Sequence, residues 1–232
     1  MSVDPQRESS PDAPNTGASA RRVGFAEEVR FQEALLRRGA PAVRVGVVRE
    51  RVVSFGIGVV PDAPYLLRAR KKGVPTVPRT TGGTGVLHLE NDIVWAVILP
   101  RSDPRVGRDF ARAYGRLGRG VVTGLAALGI RASWVGAPGL VNDYCPLSAR
   151  GEILATEAKV LGAAAQHVTS SALLHHGSVS WEVDRGEVDE LFALPRGGPS
   201  TKLGGVAELG VPGGPAALAE ALAQALSKEL GG

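Results

Sequence analysis

Apolar positions along this chain switch repeatedly between a spacing of two and a spacing of three to four, with Gly or Pro punctuating each change. From Gly24 to Arg38 the spacing is helical, with Phe25, Val29 and Leu36 on one stripe, and Gly39-Ala40-Pro41 ends it. Ala42–Val48 and Arg51–Val60 are β-branched runs separated by Arg49-Glu50, which reads as a hairpin. Pro61-Asp62-Ala63-Pro64 opens a helix that runs through Lys72 to Gly73. A strand over Val74–Val77 leads into Arg79-Thr80-Thr81-Gly82-Gly83-Thr84-Gly85. Strands Val86–Leu89 and Ile93–Leu99 follow, with a turn at Glu90-Asn91-Asp92.

After Asp103-Pro104, the apolar residues Val106, Phe110, Tyr114, Leu117, Val121, Leu125 and Leu128 mark one face of a long helix. Glycines 115, 118, 120 and 124 weaken its intrinsic propensity, so packing has to hold it. Ile130–Val135 reads as a strand and Gly136–Ser148 as a loop. Glu152–Thr156 and Val160–Ala165 read as a short hairpin, and Ala172–Val183 as a further strand. Gly186–Leu194 is a short helical piece and Gly197–Gly205 a flexible glycine-rich loop. Leu218, Leu222, Leu226 and Leu230 mark a terminal helix. Strands outnumber helices and short connections favour antiparallel pairing. The expected class is α+β: a mixed, largely antiparallel sheet packed against helices. Residues 1–21, polar and Pro-containing, are expected to be a disordered tail, and residues 22–232 a single domain.

Composition narrows the functional classes. Aromatic residues make up only 5%, so Val, Leu, Ala and Ile have to build the core. The single cysteine excludes an internal disulfide and suits a reducing cytoplasm, where the protein is expected. The first residues carry Pro, Ser, Asp and Asn, so no secretory signal is expected. The longest strongly apolar run, Ile93–Leu99, is seven residues and too short to span a bilayer, so no membrane partner is expected. The formal net charge of +4 leaves open an acidic macromolecular partner or simply a solvated Arg-rich surface. Nucleic acid is not expected, because no basic helix is interleaved with aromatics.

The candidate chemistry lies in two stretches. Cys145 sits in the polar, Pro-bearing Asn142–Ser148 loop, and Lys159 opens an apolar run 14 residues later. A thiol beside a fixed ammonium is a usable nucleophile; an inert core cysteine and a lysine snorkelling from a sheet edge are the alternatives. In the other stretch, Gly82-Gly83-Thr84-Gly85 lets backbone N–H groups approach an anion or thioester, with Arg79 beside it to pair with a phosphate or carboxylate. A plain glycine turn is the alternative. Of the four histidines, His175 and His176 must face opposite sides of a strand, so only one can join a given site. No spacing resembles a zinc motif, and no metal site is expected.

These stretches resemble the biotin/lipoate protein ligase and octanoyltransferase family, in order. Arg79 to His88 looks like its Arg-x-(Ser/Thr)-Gly-Gly loop with a trailing apolar-His. Lys159-Val160-Leu161-Gly162-Ala163-Ala164-Ala165-Gln166 looks like its lysine block, and Leu173 to Ser178 like its apolar-His-Gly-Ser strand. Tyr144-Cys145-Pro146 resembles the Cys-Pro loop of one cysteine-dependent octanoyl- and amidotransferase branch. The chain departs from the family pattern at Glu157-Ala158, Leu89 and Leu147, and it lacks a second arginine beside Arg79. The resemblance implies the lipoate/biotin ligase-like catalytic domain, with Cys145 and Lys159 catalytic. It places Arg79, Thr81, Gly82, Gly83, Gly85, His88, Gly162, His176 and Gly177 around the acyl group, its carrier or a nucleotide. The implied activity is transfer of an octanoyl or lipoyl group from an acyl carrier protein or lipoyl-domain donor to a lipoyl-domain lysine. That reaction requires no cofactor. The alternatives are an ATP- and Mg-dependent lipoate–protein ligase and a non-catalytic acyl- or carrier-binding paralogue.

Overall fold

Two sheets share the strands, and the chain crosses between them at two neighbouring places. The computed structural model describes residues 21–107, 110–135, 142–148 and 153–231. The chain runs through β1 (Arg21–Val23), α1 (Phe25–Arg38), β2 (Ala42–Val48), β3 (Val52–Phe55), α2 (Pro64–Lys71) and β4 (Thr76–Pro78). Next come β5 (Gly85–His88), β6 (Ile93–Pro100), α3 (Phe110–Leu117), α4 (Arg119–Ala127) and β7 (Ser133–Val135). The single turn α5 (Cys145–Ser148) precedes β8 (Ile153–Ala155), β9 (Val160–Val168) and β10 (Ala172–Val179). Helix α6 (Arg185–Phe192), two 3-10 turns (Pro199–Lys202 and Val206–Leu209) and α7 (Gly214–Gly231) complete it.

The larger sheet has seven strands in the order β1-β2-β6-β10-β9-β8-β7, antiparallel except for β1 beside β2. The smaller has the order β4-β3-β5, with β4 parallel to β3 and β5 antiparallel to it. The α+β class with a mixed, largely antiparallel sheet is therefore as expected, but there are two sheets where a single one was read. The expected β2–β3 hairpin does not form, because β2 joins the large sheet and β3 the small one. Val48 N–H donates to Asp92 O (2.8 Å) and Asn91 N–H to Val48 O (2.9 Å). The two crossings, after β2 and after β5, thus pair with each other. Alternation of apolar residues specifies a strand, not which sheet it joins. The hairpin of β8 and β9 does form; Glu152 at its expected start lies outside the described residues.

One face of the large sheet carries α4 and α7. Leu218, Leu222 and Leu226 of α7 are buried against α4, as their four-residue spacing predicts. Each fully buried leucine contributes about 1.5–3 kcal/mol. The glycines that looked like weak points are the contact: a Cβ on Gly124 would lie 2.8 Å from Leu222 Cδ2, and one on Gly120 2.8 Å from Leu226 Cδ2. The long helix expected after Asp103 is instead two. They meet at Gly118, whose carbonyl accepts a hydrogen bond from Trp134 Nε1 (2.8 Å). Asp103 makes a local turn, accepting from the Arg105 N–H and from its guanidinium. The other face of the sheet carries α1, which ends at Gly39 in the left-handed conformation.

Residues 1–20 of the expected tail lie outside the described residues, and Arg21 already belongs to β1, beside Gly46. The Gly197–Gly205 stretch, read as flexible, holds a 3-10 turn. Gly204 N–H bonds Val160 O (2.9 Å), and Gly205 packs on the backbone of Trp181. No described helix is long and apolar enough to cross a membrane.

Candidate functional site

Between α1, the small sheet and the middle of the large sheet lies a partly open cleft, with about 480 Å³ of empty space counting the solvent at its mouth. Its walls are apolar at Phe25, Val29, Val86, Val94 and Ala163 to Ala165, and polar at Glu28, Gln32, Ser54, Arg79, His88, Cys145, His176 and Ser178.

Local turns fix the thiol. Asn142 Oδ1 accepts the Tyr144 N–H (2.8 Å), the turn chemistry expected of Asn. Gly85 N–H bonds Asp143 O (2.9 Å), and Tyr144 forms a bridge with Gly85, so the segment adds to the edge of β5. Cys145 then begins α5 and turns its Sγ under the glycine loop. A Cβ on Gly83 would lie 3.2 Å from Sγ and 3.1 Å from Arg79 Nη2, and Gly83 has φ +94°. Only glycine suits that position. Gly56 packs still closer on the loop, where a Cβ would fall 2.1 Å from Gly83 O. Gly85 is held by space too, since a Cβ there would strike Phe192 and Tyr65.

Arg79 is the cation of the site. It is buried, and its hydrogen bonds run to neutral oxygens: Ser54 Oγ (2.9 Å), Gly82 O (3.1 Å) and Thr84 O (3.1 Å). Burial lowers its pKa, while Cys145 and Tyr65 act to raise it. Burial pushes the Cys145 thiol up, opposed by the Arg79 charge and by the Thr84 backbone N–H. Ser54 passes the contact on, its Oγ lying 2.8 Å from His88 Nε2. Burial, then the Arg79 charge, brings His88 down to about 3, so it stays neutral.

A second chain of hydrogen bonds fixes His176. Arg44 clasps Glu28 with Nη2 to Oε2 (2.7 Å) and Nε to Oε1 (3.2 Å), and Gln32 Nε2 donates to Glu28 Oε1 (3.3 Å). A carboxylate only accepts, so the Gln32 amide nitrogen must face it, leaving Oε1 toward His176 Nδ1 (2.8 Å). His176 therefore carries its proton on Nδ1, and Nε2 accepts from the Thr81 hydroxyl (2.7 Å). Burial and the Arg79 charge hold its pKa well below the ordinary histidine value.

Of the residues singled out in the sequence, Arg79, His88, Cys145, His176 and Gly177 line this cleft. Thr81 bonds one of them, the Gly82 carbonyl accepts from Arg79, and Gly83 covers the thiol. Gly162 does not line it; a Cβ there would meet Ser178 O at 2.0 Å, so strand approach demands the glycine. Lys159 is not in the cleft either. It lies in the turn before β9, with Nζ donating to Thr201 O (2.8 Å) and its stem packed on Gly204. The cation whose charge acts on the thiol is Arg79, not Lys159. The sequence reading missed Glu28, Gln32 and Ser54. Glu28 and Gln32 sit on the same buried face as Phe25, Val29 and Leu36, and polar residues on such a stripe are the signal that would have found them. Among the described residues, no cluster of three or more His, Cys, Asp or Glu could hold a metal ion.

The family described as Lipoyl protein ligase A/B catalytic domain matches residues 25–227. An octanoyltransferase LipM of Macrococcus caseolyticus is 31% identical over 132 residues, 53% of this chain and 46% of that protein. The LipM of Carboxydothermus hydrogenoformans is 27% identical over 173 residues, 72% of this chain and 62% of its own length. The chain thus spans about half the length of the first curated relatives it matches. A lipoate-protein ligase A bound with ATP superposes with a TM-score of 0.72 at 21% identity, over 91% of this chain and 85% of that one. Ta0514 of T. acidophilum, a putative lipoate protein ligase with bound lipoic acid, gives 0.70 at 20% identity, covering 91% and 85%.

Proposed function

The chain belongs to the lipoyl protein ligase A/B catalytic-domain family, and from that premise we propose that it is an acyltransferase of protein lipoylation that works through a Cys145 acyl-enzyme. The observation that carries this reading is the pairing of Cys145 with Arg79. The one cysteine of the chain faces an apolar cleft beside a buried guanidinium whose hydrogen bonds go to neutral oxygens. A buried cation left without a carboxylate is expensive, and an anion formed beside it is correspondingly favoured. The thiolate is such an anion; burial, the larger effect, keeps the resting Cys145 a thiol, and Arg79 favours the negative charge as it forms on the sulfur.

In the first half-reaction the Cys145 sulfur attacks the carbonyl carbon of an octanoyl or lipoyl thioester. The C–S bond to the donor breaks, and the thiol proton ends on the departing donor thiol, so the exchange is balanced without a cofactor. The Thr84 N–H and the Arg79 guanidinium lie where negative charge develops. The apolar wall between Phe25 and Ala165 holds the acyl chain. In the second half-reaction a lipoyl-domain lysine amine attacks the acyl-enzyme, giving the amide and returning the thiol. Lys159 enters as the group that meets the acyl carbonyl of a loaded site. Its ammonium is tethered by a hydrogen bond to a single carbonyl, which it can exchange.

The test is intact-protein mass after incubation with an octanoyl thioester. Wild type should gain an octanoyl adduct labile to hydroxylamine; Cys145→Ser should give none that hydroxylamine removes, and Lys159→Met should form the adduct more slowly. Modification of a lipoyl domain that requires ATP, unaffected by Cys145→Ser, would overturn this reading in favour of a ligase. Binding of the acyl group with neither activity would leave a non-catalytic acyl-binding protein.

A further inference from the structure

The three most exposed large hydrophobic side chains among the described residues lie within one short stretch. Ile57 is 65% exposed, Val60 59% and Leu67 50%. Isolated exposed apolar residues need no explanation, but three together beside a functional cleft do. The backbone ties them to the cover of the thiol. Ile57 N–H donates to Thr81 O (2.8 Å), and Gly56 N–H to Thr84 O (3.3 Å). Ala63 N–H bonds Val60 O (3.0 Å) and Leu67 N–H bonds Ala63 O (3.1 Å), joining Val60 to the first turn of α2. Gly83, itself exposed, is the thin wall between this surface and Cys145 Sγ.

The rim of the patch is basic. Helix α2 carries Arg68, Arg70 and Lys71 and no acidic residue. Arg68 is turned onto Leu191 O, and the following Lys72 onto Glu190, but Arg70 and Lys71 are exposed. Asp62 is the one acid between Ile57 and Lys72.

We propose that Ile57, Val60 and Leu67, with Arg70 and Lys71, form the docking platform for the protein domain that delivers the acyl thioester. That domain presents an acidic, partly apolar surface and carries the acyl group on a flexible arm that passes over Gly83 to Cys145. The proposal rests on the acyl-enzyme reading, and it explains why an apolar and basic surface abuts the glycine loop. A membrane surface also accepts apolar and basic side chains, but would have no reason to lie beside the thiol.

Two variants test it, Ile57→Asp/Leu67→Asp and Arg70→Glu/Lys71→Glu, after thermal unfolding confirms that each is folded. Affinity for octanoylated acyl carrier protein is measured in the Cys145→Ser background. Acylation rate is measured in the Cys145 background with that carrier and with octanoyl-N-acetylcysteamine, a thioester too small to reach the platform. The apolar variant should lose about tenfold or more in affinity and in carrier-dependent rate, and keep its rate with the small thioester within about twofold. The charge-reversed variant should lose less, and its defect should shrink as salt is raised. Unchanged carrier affinity would overturn the proposal, as would an equal loss with both donors. Weakened binding to phosphatidylglycerol vesicles with carrier affinity intact would assign the patch to a membrane instead. If wild type forms no adduct with the small thioester, the acyl-enzyme reading fails, while the affinity measurement still decides the platform.

Discussion

His175 and His176 are consecutive residues of one strand, both buried and both neutral, and the faces they serve use burial for different ends. His175 enters the face covered by α3, α4 and α7. Its ring meets the edges of Trp95 (centroids 4.9 Å) and Tyr114 (5.2 Å), and among the described residues neither ring nitrogen has a hydrogen-bond partner. Burial alone brings it down to about 3. His176 enters the cleft, where both nitrogens are bonded, and the nearby charge of Arg79 adds to burial. The first histidine behaves as an aromatic filler at some cost in desolvation. The second is a member of a polar array that keeps Thr81 and the glycine loop in place. Low dielectric is tolerated on one side and put to electrostatic use on the other.

Replacing the working member of the pair should have the largest effect. His176→Phe orphans Gln32 Oε1 and the Thr81 hydroxyl, at about 1–3 kcal/mol each. Urea unfolding should show that loss, and acyl-adduct formation should fall with it because the loop over Cys145 loses its anchor. Full stability with full acylation would show that the two faces are not different in kind.

The pH dependence comes next. His88, His175 and His176 have folded pKa values depressed below the unfolded value near 6.5, so the stability they confer is present above that pH and lost as pH falls. Asp92 runs the other way. Burial raises it from 3.8 to about 7 although it accepts the Leu89 and Trp181 N–H groups, so its contribution is lost as pH rises from about 4 to 7. Around pH 5, unfolding takes up three protons on the histidines and releases one from Asp92. The net of two predicts stability that rises with pH in this range, by at most two protons' worth of linkage. Urea midpoints between pH 4 and 7, followed by tryptophan fluorescence, check the sign. A slope of zero or below would mean that the histidines are protonated in the folded protein.

The smallest effect is expected at the filler. His175→Phe removes two unpaired nitrogens and keeps a ring between Trp95 and Tyr114, so stability near pH 7 should change by less than about 1.5 kcal/mol. Acylation should be unaffected, and the pH slope should drop by one proton. A large loss of stability would mean that the imidazole itself is required there.

What the sequence determined by itself was local. The period of Phe25, Val29 and Leu36 gave α1, the four-residue spacing of leucines gave α7, and alternation in a strand set His175 and His176 on opposite faces. Ordered motifs around Arg79, Lys159 and His176 carried the family, which matches residues 25–227. Only the tertiary structure decided the rest. Strands β2 and β3 are neighbours in the chain yet belong to different sheets, because pairing is settled by partners 30 to 56 residues away. Glycines that weaken α4 as an isolated helix become its contact with α7. The cation beside Cys145 is Arg79, 66 residues earlier, while Lys159, close in sequence, bonds Thr201. Period and propensity act over one or two turns of chain, whereas an electrostatic partner is fixed by distance in space, which only the packed fold supplies.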